Sequence, residues 1–215
     1  MADGGGPAEA PPEGTSGPVR GYTPRDRAAL YQVCVRTGAE GEDASDLYAV
    51  PQLLPEVYLG AYLEFEPELA SVLDDGAGAE GYVVGTLDTR AFEARCESEW
   101  WPALRSAHPE GSVPEGTADA RLVHLLHEPP VAPAHVVAQH PSHLHVDLLP
   151  RWQGGGWGRV LLERLFAQLA AAGSPGVHLG VGTANERAVR FYGRLGFEVL
   201  DDTFPGALFL GRRLP

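Results

Sequence analysis

The stretch that most narrows the possibilities is LLPRWQGGGWGRVLLERL, residues 148–165. Leucines run up to Pro150, three glycines follow, and apolar residues then recur at Trp157, Val160, Leu161 and Leu165 with the spacing of one helix face. This order predicts a strand, a sharp turn and a helix. Glycines let a backbone turn its amides toward one point, and the N-terminus of the next helix adds partial positive charge there. The turn therefore suits a pyrophosphate, against the plainer reading of a simple strand-to-helix connection. No Gly-Lys-Ser/Thr follows, so it is not a Walker loop. The strand lies late in the chain and no acid ends the strand near Val181, so it is not a dinucleotide fingerprint either.

The rest of the pattern reads as α/β with a mixed sheet. Val19 to Tyr22 is a short first strand. Thr23-Pro24 opens a helix, with Thr as N-cap and Pro at the first helical position, and Gly38 ends it. Residues 39–52 are polar and loop-like, and a second helix covers 51–64. Leu69 to Leu73 and Tyr82 to Leu87 form a hairpin turned at Asp74-Asp75-Gly76 and Gly78. A helix from Thr89 to about Ala107 is interrupted at Pro102. Its Trp100 and Trp101 suit either a substrate groove or local core, and Asp88 suits an N-cap. Residues 108–142 are rich in Pro and His, with one apolar run, Leu122 to Leu126. Strands at Leu144 to Leu149 and Val177 to Val181 flank a helix from Trp157 to Ala172. A helix from Asn185 to Leu195 precedes a last hairpin, Phe197 to Leu200 with Ala207 to Leu210. A length of 215 residues suits one domain. We expect it over 18–215 with a long insertion at about 89–142, after a flexible N-terminal tail over 1–17 that is rich in Gly, Pro, Ala and Glu.

The net charge is -13, and all 16 basic residues are Arg. No basic stripe can neutralise phosphates, so nucleic acid is not an expected partner. The acidity suits a cationic amine, or only solubility. No apolar run approaches the roughly 18 residues of a membrane span, so no membrane is expected either. The start has no basic and apolar signal pattern. Cys34 and Cys96 stand far apart without metal spacing, as reduced, buried thiols of a cytoplasmic protein would.

Two motifs carry a resemblance. Gln153-Gly154-Gly155-Gly156-Trp157-Gly158 resembles the acetyl-CoA signature of the GNAT superfamily, Gln/Arg-x-x-Gly-x-Gly/Ala. Asn185 to Phe197, with Ala188, the Phe191-Tyr192 pair and Gly196-Phe197, resembles that family's later motif. Both occur in the family's order and cover the last third of the chain. GTLDTRAFEARCESEWWPALR, residues 85–105, is similar to bacterial GNAT proteins related to the acetyltransferase-like C-terminal domain of animal O-GlcNAcase. The resemblance implies a GNAT-type acyl-CoA N-acyltransferase fold, a mixed, mostly antiparallel sheet flanked by helices. It also implies acetyl-CoA as cosubstrate and direct acetyl transfer to a small-molecule or peptide amine. A catalytically inactive acyl-CoA-binding domain, or a protein-interaction domain, is the alternative.

Carried over residue by residue, the resemblance gives the coenzyme to Gln153, Gly154, Gly155, Gly156, Trp157, Gly158, Arg159, Asn185, Ala188 and Phe191. Leu148 and Leu149 would offer backbone groups to the pantetheine, one amide polarising the acetyl carbonyl. Tyr192 would protonate the leaving thiolate, its phenol pKa of about 10 suiting that task. It would equally serve the apolar stripe of its helix. Strand alternation puts His143, His145 and Asp147 on one face, where a doubly covered strand would be apolar. That polar face suggests a cleft, with Asp147 as base or amine anchor, or as a partner of a loop or helix end. The histidines could act through water. His-x-His-x-Asp also has the look of a metal set, but the chemistry asks for no metal and none is expected.

Overall fold

The computed structural model describes residues 18–215, and the expected tail over 1–17 lies outside the described residues. Strand β1 is Val19–Gly21, followed by a 3-10 turn, Pro24–Asp26, and helix α1, Arg27–Thr37. The segments Leu53–Pro55, Glu56–Gly60 and Ala61–Phe65 run on as one helix, α2. Strands β2, Ser71–Asp74, and β3, Ala79–Thr86, follow. Helix α3 is built from Thr89–Arg95, Cys96–Trp100 and Trp101–Ala107, α4 is Ala118–His127 and α5 is Ala134–Gln139. The remainder is β4, Ser142–Leu148, α6, Trp157–Ala171, β5, Gly176–Gly182, α7, Glu186–Arg194, β6, Glu198–Asp201, and β7, Ala207–Arg213. The strands hydrogen-bond in the order β1-β2-β3-β4-β5-β7-β6. No helix among the described residues is long and apolar enough to cross a membrane.

The chain divides into two compact units. The first holds the described residues up to Val84 together with Val146–Leu165. Here β1, β2 and β3 form an antiparallel ladder, with Arg20 opposite Val72 and Val72 opposite Tyr82. Asp74 accepts from the Gly76 amide at 2.8 Å and starts the hairpin turn read from the sequence. Helix α1 begins as its sequence dictates. The Asp26 carboxylate accepts from the Thr23 amide at 2.8 Å and the Thr23 hydroxyl at 2.7 Å. Arg20 then forks onto both Asp26 oxygens at 2.7 Å and reaches Asp74 at 2.6 Å, tying β1, the start of α1 and β2 together. The fork holds Asp26 well below the usual carboxylate range, against the opposing effect of burial. Leu30, Val33 and Cys34 of α1 and Leu161, Leu162 and Leu165 of α6 are buried. Each such aliphatic side chain contributes roughly 1.5–3 kcal/mol.

The second unit is Gly85–His145 with Phe166–Pro215. Asp88 caps α3 by accepting from the Arg90 and Ala91 amides at 2.9 and 3.0 Å. Helix α3 is not broken at Pro102. Its turn Cys96–Trp100 widens to the π type instead, which makes room for a residue that cannot donate and whose ring crowds the preceding turn. Trp101 is buried and Trp100 half-buried. The Pro- and His-rich segment contains two helices that its composition concealed. The Thr117 hydroxyl caps α4 by accepting from the Ala120 amide at 3.1 Å, and Leu122, Val123 and Leu126 form its buried face. Strands β5 and β7 pair antiparallel from Gly176↔Arg213 to Gly182↔Ala207, and β7 pairs antiparallel with β6. A β-carbon on Gly211 would lie 2.2 Å from Leu200 Cδ1, so that side chain would have to shift to make room. Strands β4 and β5 are parallel, and their ladder comprises Ser142↔Val177 and His143↔His178, although each strand is 7 residues long.

Candidate functional site

In the first unit β4 runs into the glycine-rich turn through one 3-10 turn, Pro150–Trp152. Leu149 donates its amide to Glu80 O at 3.0 Å and accepts from the Trp152 amide at 2.9 Å, so both its backbone groups are engaged. Gln153 folds back on the strand, its amide donating to Leu148 O at 2.8 Å and Gly41 O at 3.3 Å. The predicted coenzyme side chain thus braces the turn. Gly154 and Gly156 stand at φ of +82° and +87°, where a β-carbon is strained. A β-carbon on Gly154 would meet nothing within 4 Å, so conformation rather than crowding asks for glycine.

Gly156 O accepts from the amides of Arg159 at 3.0 Å and Val160 at 3.2 Å, which makes Gly156 the N-cap of α6. A glycine N-cap brings no side chain to the first-turn amides, and α6 is 15 residues long. Partial positive charge and backbone donors therefore gather beside a turn of small residues, Gly155 and Gly158 included. Trp157 is buried edge-on against Trp152 at 5.7 Å, while Arg159 turns along the helix to Glu163 at 2.6 Å. This donor set fits a pyrophosphate.

Asp147 lies on β4 in the same unit, half-buried. Its Oδ2 accepts from the Tyr82 hydroxyl at 2.5 Å. Burial pushes the carboxyl up to about 6, while hydrogen bonds from Tyr82 and then Thr37 act in the opposite sense. The residue remains partly open to solvent in surroundings dense enough to desolvate it, as a group lining a concavity would be. Burial and then the Asp147 charge push the Cys34 thiol up to about 12, so it is an inert neighbour. Tyr82 is raised well above its usual value by burial first and Asp147 second, and so is a proton donor throughout.

His143 and His145 belong to the second unit. Burial lowers His145 to about 4 and His143 well below its usual value, so both rings are neutral near pH 7. The Thr89 hydroxyl donates to Pro141 O at 2.7 Å and lies 2.7 Å from His143 Nδ1. A hydroxyl has one proton, so Nδ1 of His143 carries the hydrogen between them. Phe92 and His178 pack on the His143 ring at 5.5 and 5.6 Å. Among the described residues no three His, Cys, Asp or Glu side chains form a set that could hold a metal.

Helix α7 of the second unit carries the later motif. Asn185 is its N-cap, accepting from the Ala188 amide at 3.0 Å. Tyr192 is 8% exposed, its ring between Phe191 at 5.3 Å and Phe197 at 5.4 Å. The structure thus brings Asp147, Leu148, Leu149 and residues 153–159 into one unit and Asn185, Ala188, Phe191 and Tyr192 into the other. Sequence reasoning missed Tyr82, Thr37 and Cys34. No local pattern marked Tyr82, because every residue of β3 from Gly81 to Thr86 is buried and its partners are fixed by long-range pairing.

A mixed seven-stranded sheet flanked by helices and entered through such a turn defines an acyltransferase fold of the GNAT type. Residues 55–197 match the Acetyltransferase (GNAT) family, and the chain belongs to it. It is 43% identical to SsHAT, whose crystal structure superposes with a TM-score of 0.85 over 92% of this chain and 98% of that one. It is also 27% identical over 201 residues to Protein O-GlcNAcase of Rattus norvegicus, which covers 91% of this chain but 22% of that protein. The chain therefore spans about a fifth of that relative's length. A Salmonella typhimurium protein, yncA, solved with its cofactor acetyl-CoA, shares the fold with a TM-score of 0.51 at 16% identity, over 92% of this chain and 93% of that one. Family membership supports acetyl transfer and acyl-CoA use in general.

Proposed function

We propose that this chain is an N-acetyltransferase that moves acetyl from acetyl-CoA to an amine by direct transfer. One observation carries the reading. Two glycines at positive φ lead straight into a long helix whose N-cap, Gly156, has no side chain. Gln153 to Arg159 would hold the coenzyme phosphates on backbone amides, with Gln153 bracing the turn. Asn185, Ala188 and Phe191 take their coenzyme role from the family motif.

Bound acetyl-CoA supplies the acetyl group as a thioester. The Leu148 amide is assigned to the acetyl oxygen as it gains charge, because the amide of its neighbour Leu149 is committed to Glu80. Asp147 takes the proton that the attacking amine gives up, and a carboxyl near pH 6 is ionised at neutral pH yet basic enough for the task. Tyr192 returns a proton to the departing sulfur. A coenzyme-binding domain without catalysis is the second reading, favoured by the packing of Tyr192 between two aromatic rings.

Calorimetry with acetyl-CoA, then thiol release over a panel of small amines, aminosugars and peptides, tests the reading. Binding with thiol release on at least one amine is the expected result. Binding without release on any amine selects the second reading, and no binding sinks both.

A further inference from the structure

The proposed base is a single carboxylate on a strand, and a useful base must be held in one orientation. Around Asp147 the first unit presents few polar groups. From α1 come the Cys34 thiol and the Thr37 hydroxyl, and from β3 comes the Tyr82 hydroxyl. The Thr37 hydroxyl also reaches Val33 O at 2.8 Å and acts on Asp147 less strongly than Tyr82 does. Cys34 is a buried, protonated thiol and a weak donor. His145, which precedes Asp147 on β4, is neutral. That leaves Tyr82 as the strong donor. Its ring is wholly buried, so its hydroxyl cannot wander, and it meets Oδ2 at 2.5 Å. A β-carbon on Gly81 beside it would lie 3.0 Å from Asp147 O, tighter than ordinary contact, so a side chain there would press on the close approach of β3 and β4 that delivers Tyr82 to Asp147.

We infer that Tyr82 is the positioning residue of the reaction: it occupies Oδ2 of Asp147, fixes the carboxylate's rotamer and directs the other oxygen, Oδ1, to the amine. This inference rests on the proposed function. A hydrogen bond to the charged form of an acid also favours that form. Tyr82 therefore keeps Asp147 ionised at lower pH than burial alone would allow.

Tyr82→Phe removes the hydroxyl and keeps the ring. The readouts are the titration midpoint of Asp147 by carbon-13 NMR of labelled Asp, assigned with Asp147→Asn, and the acid limb of kcat/KM. A charge-assisted hydrogen bond lost from the ionised form should raise both by about one pH unit, tenfold in proton affinity. Acetyl-CoA affinity should stay within about twofold, since Tyr82 does not belong to the phosphate turn. Should Tyr82→Phe fold poorly, a difluorotyrosine ring at position 82 gives the opposite test. Its stronger phenol donor should lower both the midpoint and the acid limb. An Asp147 midpoint that stays put in either folded variant overturns the inference and makes Tyr82 core only. If the midpoint moves while the acid limb does not, Asp147 is not the base, and the reading of the reaction fails along with the role given to Tyr82 in it.

Discussion

Replacing Asp147 with Asn should make the protein more stable at pH 8 and far less active. Burial raises the Asp147 carboxyl to about 6, above its unfolded value near 3.9. A raised acid contributes stability that is full below the unfolded pKa and is lost as pH rises through the folded one. At pH 8 the folded state therefore carries an ionised group it would rather protonate. The shift corresponds to roughly 3 kcal/mol at about 1.36 kcal/mol per pH unit. The residue is only half-buried, so screening by water reduces the cost to about 2 kcal/mol. Asn has nearly the same shape and still accepts from Tyr82, but it cannot ionise.

Thermal melts from pH 5 to 8.5 test this directly. The variant should gain on the wild type as pH rises, level off above about pH 7, and melt roughly 5 °C higher at pH 8. Its kcat/KM should fall on the order of 10²-fold or more, while acetyl-CoA affinity holds. The wild-type kcat/KM should decline about tenfold per pH unit below about 6. A variant that is less stable at pH 8, or a stability gap that ignores pH, would show that the carboxylate is a favourable structural partner. Full turnover in the variant would refute its role as base.

Three further outcomes are expected. Gly156→Val places a β-branched side chain at a φ of +87° and blocks the N-cap of α6, so acetyl-CoA should no longer raise the melting temperature; unchanged affinity would remove the turn from the coenzyme site. Tyr192→Phe keeps the contacts of the ring with Phe191 and Phe197 and should lower kcat about 10²-fold with coenzyme affinity retained, whereas full turnover would assign Tyr192 to packing. Arg20→Ala strands the buried Asp26 carboxylate and should cost roughly 2–3 kcal/mol in urea unfolding with kcat/KM unchanged, and a loss below about 0.5 kcal/mol would make the fork incidental.

What could be read from the chain alone was what short-range physics writes into it. The glycine-rich turn, the Thr23-Pro24 helix start, the Asp88 cap and the hairpin turn at Asp74 each depend on residues within a few positions of one another. Helices α4 and α5 escaped notice because prolines and histidines hide a weak apolar face, although Thr117 and the spacing of Leu122, Val123 and Leu126 marked α4. The widened turn before Pro102 left only the proline as a trace. At the site, residue types on β4 were legible but their partners were not. Tyr82 and Asp147 are separated by 65 positions, and their contact depends on the register between β3 and β4. The same register commits the Leu149 amide to Glu80, a choice between two adjacent leucines that no local pattern can make.

Asp26 and Asp147 show how one residue type in one compact unit can be set to opposite tasks. Asp26 is 6% exposed, but Arg20 forks onto both its oxygens and Thr23 adds two donors, so its ionised form is held well below the usual range. These partners outweigh the burial that opposes the charge, and its ion pair stabilises the fold above about pH 4. Asp147 has no cation in the set that moves its pKa, only the hydroxyls of Tyr82 and Thr37. Two neutral donors do not offset its desolvation. A chain under selection for stability alone would place Asn or an apolar residue at 147, as isosteric replacement of imperfectly paired buried charge is often stabilising. Retaining a destabilised carboxylate with one oxygen fixed by a buried tyrosine is what a group needed for proton transfer requires. The opposite signs of the two shifts, rather than the burial that both share, separate the structural acid from the proposed catalytic one.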